Sequence, residues 1–299
     1  MYTRLQIPVT CFHQTSLIVV VFLHIMLIRL GYDIRFQNNA DIPFIAMLNV
    51  HPSRQQDLRE PDNLNTDPCI PIEQYVDVFG NLCSRFVAPP GELRLYNSTL
   101  IEDSGEPDPV CWEARQHPIT ELPPETLRFL LASRYCETDL LSDTAIELFG
   151  NSTPGWPRVK AIVDWVHNYV TFGYQFARHT KTALETYRER CGVCRDFQHL
   201  AISFCRAMNI PARYATGYLG DIGVPPSPAP MDFSAWFEAY LEGRWWTFDA
   251  RHNQPRIGRI LMGVGRDAAD VALTTTFGPA LMAGFSVITE ELQPATAAA

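Results

Sequence analysis

The sequence lacks an apolar run of bilayer-spanning length. The stretch Leu17 to Ile28 (LIVVVFLHIMLI) has twelve residues, where about 20 are needed to cross a membrane. The only positive charge before it is Arg4, and no small-x-small cleavage site follows, which argues against a membrane anchor or an export signal in residues 1–28. The chain is also short of basic charge: 24 basic against 33 acidic side chains leave −9. This balance argues against nucleic acid, whose phosphates require a dense basic face, as the main partner. Eight cysteines scattered over 299 residues are too few for a disulfide scaffold, and they read as reduced thiols in a cytoplasm. No second C-x-x-C and no closely spaced histidine pair supplies a zinc ligand set.

What is present is a globular composition, 46% hydrophobic and 19% charged, long enough for one large domain or two modest ones. After the apolar run the chain passes into Arg29-Leu-Gly-Tyr-Asp-Ile-Arg-Phe36, whose alternation is that of a half-buried strand. The fold is therefore expected to begin at Met26, with residues 1–25 an extension or a mis-assigned start. Pro and Gly punctuate β-like runs at Met26–Phe36, Phe44–Val50, Tyr75–Asp77, Cys83–Val87 and Gly91–Thr99. These predict a β-rich N-terminal domain over 26–117, then a core over 118–290 and a flexible tail at 291–299. In the core, Pro124–Tyr135 and Thr144–Phe149 read as helices. Pro157 opens a stronger helix carrying Val159, Ile162, Val163, Val166 and Val170 at helical spacing.

The chemistry concentrates in Cys191-Gly-Val-Cys-Arg-Asp-Phe-Gln-His-Leu200. From Cys194 onward, Cys194, Phe197, Ala201, Phe204, Cys205 and Met208 form one helical stripe, ended by Asn209 and Pro211. A thiol in the first turn of a helix sits beside unpaired N–H groups and the positive end of the macrodipole, which favour thiolate. The same groups can stabilise an oxyanion. Two other readings stay open at this point: a small core cysteine, or a redox pair of Cys191 with Cys194.

A cysteine nucleophile needs a base and a group that orients the base. The runs Asp232–Leu241 and Arg244–Arg251 alternate around Glu242-Gly243 and predict a β-hairpin with Leu241 opposite Arg244. Asp249 then falls opposite Trp236, with position 234 diagonal to it, about 7 to 8 Å away. A histidine at 234 would complete the set, but the residue is Ser234, too short and too weakly basic to take a thiol proton near neutral pH. His179, His199 and His252 read as surface or structural histidines.

The run CGVCRDFQHLAISFCRAMNIPARYATGYL, followed by AWFEAYL, RWWTFDARHN and GRDAADVA, resembles the transglutaminase-like superfamily, in the bacterial branch related to papain-type cysteine hydrolases. The resemblance covers nearly everything from Met26 onward. It implies an α+β fold: a papain-like transglutaminase core, with the helix-start cysteine packed on an antiparallel sheet, preceded by a small β-rich region. It further implies acyl transfer or amide hydrolysis, of peptidase or transamidase type, on a peptide or protein amide without a cofactor. Cys194 matches the family's nucleophile, Asp249 its orienting aspartate, and position 234 its general-base histidine. Because Ser234 departs from that pattern, impaired turnover is expected, and a catalytically silent relative that binds a peptide in the same cleft is the alternative. In Arg266, Asp267 and Asp270 the expected role is a structural ion pair.

Overall fold

The computed structural model describes residues 26–292. The expected extension at 1–25 and the last residues of the expected tail lie outside them. The N-terminal part holds strands β1 (Met26–Asn38), β2 (Ile42–Ala46), β3 (Asn65–Asp67), β4 (Glu73–Val76), β5 (Leu82–Ala88) and β6 (Gly91–Asp103). The rest holds α1 (Thr138–Phe149), α2 (Trp156–Tyr169), β7 (Thr171–Phe172), α3 (Ala183–Glu189), β8 (Cys191–Gly192), α4 (Cys194–Ala207), β9 (Ala212–Leu219), β10 (Ser234–Leu241), β11 (Arg244–Phe248), β12 (Arg259–Gly265), β13 (Thr274–Thr276) and β14 (Ala280–Leu292). The α+β class expected from the sequence is the class observed. No helix among the described residues is long and apolar enough to cross a membrane; of the run Leu17 to Ile28, Met26 onward is the start of β1.

Alternating burial along β1 places Ile28, Leu30, Ile34 and Phe36 in one apolar core with Phe44, Phe86, Leu93 and Leu95. That core is shared by two four-stranded sheets, ordered β14-β1-β6-β3 and β13-β2-β5-β4. The C-terminal strands therefore complete the N-terminal sheets: β14 pairs with β1 from Leu27↔Leu292 to Asn38↔Ala280, and β13 pairs with β2. The sequence alone suggests a boundary between core and tail at 290, which falls inside β14. The difference arises because strand pairing is nonlocal, and nothing in a strand's own alternation names its neighbour.

The second sheet system, β11-β10-β9-β12, carries α4 across its face. α4 is buried almost throughout, and its Phe197, Leu200, Ala201, Phe204 and Cys205 meet Val159, Ile162, Val163 and Val166 of α2 and Leu141 and Ala145 of α1 in one cluster. Each large apolar side chain so buried is worth roughly 1.5 to 3 kcal/mol. Most polar residues of α4 are buried too, and Ser203 and Arg206 are matched. Ser203 Oγ donates to the His199 carbonyl at 2.8 Å. Arg206 donates to the carbonyls of Ala212, Leu131 and Arg266. Pairing of this kind removes the cost of burying polar groups and fixes α4 rigidly.

Two helical expectations change. Pro124–Leu130 is a 3-10 turn and does not extend to Tyr135, and the helix expected at Thr144 starts earlier, at Thr138. Short Pro-led segments close as i→i+3 turns when no apolar stripe supports a longer helix. The strong helix occupies Trp156–Tyr169, with Val170 just past its end.

Candidate active site

Cys194 opens α4 behind Val193, whose N–H donates to Asp196 Oδ2 at 2.9 Å. The third residue of the helix thus reaches back to satisfy the end, half of a capping box. This turn requires Gly192, because a Cβ there would lie 2.7 Å from Asp196 Oδ2. The Cys194 sulfur accepts the Arg195 N–H. It stands in the wall common to two clefts, one of about 330 Å³ shared with Tyr174, Ser234, Arg251 and His252, the other of about 550 Å³ shared with Tyr135, Tyr214, Asp232 and Ser234.

The hairpin adopts the expected register, with Leu241 opposite Arg244 and Phe237 opposite Phe248. Its loop residues Glu242 and Gly243 both have positive φ, 47° and 78°, as a two-residue type I′ turn requires. β11 ends at Phe248, so Asp249 lies one residue beyond the ladder, where its carboxylate turns into the protein. Gln198, one turn along α4 from Cys194, clamps it. The Gln198 amide donates to Asp249 Oδ1 at 3.0 Å and to the Ala235 carbonyl at 3.2 Å, and its oxygen accepts the Ala250 N–H at 3.1 Å. Helix and hairpin are thereby locked together.

Asp249 is saturated. Oδ1 also accepts the N–H groups of Arg251 and His252 at 2.9 and 3.1 Å, while Oδ2 accepts Arg259 Nη2 at 3.0 Å and stands 2.8 Å from His252 Nδ1. Burial alone would raise its pKa, but the Arg259 charge and the His252 contacts outweigh burial and hold the carboxyl far below the ordinary carboxylate range. It is an anion at every ordinary pH.

Cys194 departs from expectation. Burial pushes its thiol up to about 11; Arg251 opposes this, and Asp232 and Asp249 reinforce it. The helix terminus does not make the resting sulfur a thiolate, because desolvation of the charged form and two nearby carboxylates outweigh the macrodipole. Ser234 lies at the first position of β10 with its hydroxyl buried and without a hydrogen-bond partner among the described residues. Serine offers no proton acceptor of useful basicity there.

The histidines divide. His199 is buried and stacked on Tyr135 at 5.1 Å, accepts the Ala268 N–H at 3.1 Å, and is held neutral by burial, as a structural residue. His179 lines the wider cleft. His252 lies in a turn. A strand continued past Asp249 would point it away, but the chain turns at 249–252, and Asp249 holds its ring in the narrower cleft. Its second ring nitrogen, Nε2, meets Arg251 Nη1 at 3.2 Å. Of the residues sequence reasoning missed, Gln198 carried a signal, its i+4 spacing from Cys194. Arg259 carried none, since β12 reaches Asp249 only through the sheet. Arg266 pairs with Asp270 as expected, and Asp267 accepts the Tyr135 N–H at 2.8 Å.

A helix-start cysteine set on an antiparallel sheet, facing a hairpin-borne buried aspartate, defines a papain-like cysteine-hydrolase fold. The model of the transglutaminase-like superfamily matches residues 142–250. A crystal structure from Cytophaga hutchinsonii, described as a candidate cysteine protease, superposes with a TM-score of 0.78 at 31% identity, covering 90% of this chain and 92% of its own. An uncharacterized protein of Mycobacterium leprae is 26% identical over 220 residues, 71% of this chain and 77% of its own. One of Mycobacterium tuberculosis is 30% identical over 217 residues, 65% and 68%. The chain belongs to the transglutaminase-like superfamily.

Proposed function

We propose that the chain is a cysteine acyl-transfer or amide-hydrolysis domain acting on a peptide or protein amide, with Cys194 as nucleophile and Asp249 as the orienting carboxylate. Its turnover falls below that of a cleft bearing histidine at 234. The observation that carries this reading is the position of the Cys194 sulfur in the wall of two clefts large enough for a substrate chain to pass on either side, with the Gln198–Asp249 clamp behind it. The sulfur attacks the amide carbonyl, the nitrogen leaves, and water or an amine resolves the thioester. The likeness to the Cytophaga protein supports the peptidase form of the reaction.

A silent peptide-binding relative is the second reading, favoured by Ser234 and by a thiol that titrates at about 11. The same raised value weighs against a redox pair of Cys191 and Cys194, since redox thiols have lowered values. The seven cysteines described are all unpaired, in keeping with a reducing, cytoplasmic compartment. Amide hydrolysis and amine incorporation by the natural chain, Cys194→Ala and Ser234→His test the proposal. Activity that Cys194→Ala abolishes and Ser234→His raises by roughly 10²- to 10⁴-fold supports it. Peptide binding with no turnover in any form would establish the silent reading.

A further inference from the structure

We propose that His252, held by Asp249, is the group that takes the Cys194 proton in this chain, in place of a base at position 234. The inference rests on the reading of Cys194 as nucleophile and adds to it the identity of the proton acceptor. Three observations converge. The His252 ring is oriented through Nδ1 by the buried Asp249 carboxylate at 2.8 Å, the arrangement by which an orienting acid fixes a catalytic imidazole. The ring lines a cleft whose wall also carries Cys194, and its outer nitrogen, Nε2, is not engaged by Asp249. Finally, Ser234 lines the same cleft with a short, unpartnered hydroxyl, so no larger side chain at 234 fills the approach.

Arg251 occupies the outer nitrogen in the resting structure. Its Nη1 stands 3.2 Å from His252 Nε2, and its guanidinium lies 3.9 Å over Phe172. Phe172 pairs with Gly192, two residues before Cys194. Arg251 thus spans from the imidazole to the neighbourhood of the thiol, and its displacement frees Nε2. The charged and titratable groups that line the cleft with the ring are Tyr174, Cys194, Asp221, Asp232, Arg251 and Arg256, with Asp249 and its partner Arg259 behind the ring.

The step balances within the cleft. Nε2 removes the proton from Sγ as sulfur forms a bond to the carbonyl carbon and the π pair moves to oxygen. The tetrahedral adduct collapses with cleavage of the C–N bond, and the imidazolium returns its proton to the departing amine. Water or a primary amine, activated by the same nitrogen, then cleaves the C–S bond and regenerates the thiol.

The test uses the full chain and iodoacetamide, which reports Cys194 reactivity whether or not a peptide substrate is in hand. A thiol titrating at about 11 is ionised to roughly one part in 3,000 at pH 7.5, so assistance at that pH is readily seen. Site-resolved mass spectrometry should show Cys194 alkylation slowed at least tenfold in His252→Asn, whose amide keeps a donor for Asp249. In His252→Ala, added imidazole should restore the rate. Should His252→Asn not fold, carbethoxylation of His252 in the natural chain should lower Cys194 alkylation in step with its extent. Alkylation unchanged in His252→Asn, or after carbethoxylation of His252, overturns the proposal while leaving Cys194 as nucleophile. Amide hydrolysis that survives Cys194→Ala would instead overturn the underlying reading.

Discussion

Gln198 and Asp249 are joined by a 3.0 Å hydrogen bond between two side chains that are both buried. Gln198 also bonds the main chain at Ala235 in β10 and at Ala250, two residues past β11, so one residue of α4 holds β10 and the turn that follows β11. Gln198→Leu keeps the volume and removes all three bonds, leaving Ala250 N–H and Ala235 C=O buried without it. Such losses cost about 2 to 3 kcal/mol together. Urea unfolding should show that decrease, and a loss below 1 kcal/mol would mean the clamp is not structural.

Arg259 supplies the positive charge that offsets Asp249. Arg259→Met leaves the carboxylate buried with only neutral donors, and removing one member of a buried pair typically costs about 3 to 5 kcal/mol. The sign with pH follows from Asp249. In the natural chain its folded value lies below the unfolded one of about 3.9, so its contribution is present above pH 4 and is lost as pH falls below that. Without Arg259, burial dominates and the folded value moves up. The deficit of Arg259→Met should therefore shrink as the pH is lowered from 7 toward 4.5, and Arg259→Met/Asp249→Asn should be more stable at pH 7 than Arg259→Met alone. A deficit independent of pH would dissociate Arg259 from the Asp249 charge.

Legibility in the sequence followed the range of the interactions. The helix from Cys194 and the hairpin register depend on local periodicity and on a two-residue turn, and each lies where its pattern placed it. The thiol's protonation did not follow from its helix position, because burial and the approach of Asp232 from a distant loop are properties of the packed chain. The bond from His252 to Asp249 is set by the turn past the ladder's end at Phe248, where strand alternation no longer applies. What remained invisible, the pairing of β14 with β1 and of Arg259 with Asp249, joins segments that share no local pattern.

The thiol makes a separate titration prediction. Ultraviolet absorbance of the thiolate, taken as the difference between the natural chain and Cys194→Ser, should show a midpoint near 11 in place of the ordinary value of about 8.5. Because the folded value is raised, the unfolded chain releases this proton first, and the folded state loses stability as pH rises from about 8.5 toward 11. Cys136, pushed up to about 12 by burial, acts in the same direction. A difference midpoint below 8 would restore the thiolate expected from the helix terminus.

β14 forms the edge of its sheet and covers the whole length of β1. Ending the chain at residue 279 would expose the N–H and C=O groups of a thirteen-residue strand whose inward face is Ile28, Leu30, Ile34 and Phe36. A long unpaired edge beside an opened apolar core is a template for intermolecular pairing. The loss would spread beyond the N-terminal sheets, because Tyr218 of β9 and Ile260 and Met262 of β12 pack into that same core, and β9 and β12 belong to the sheet that carries α4 and Cys194. Size-exclusion chromatography of the shortened chain should therefore show aggregate, and Cys194 should alkylate in it at the rate of an unprotected thiol. A monomer with the natural alkylation rate would show instead that the Cys194 core holds its structure independently of β14.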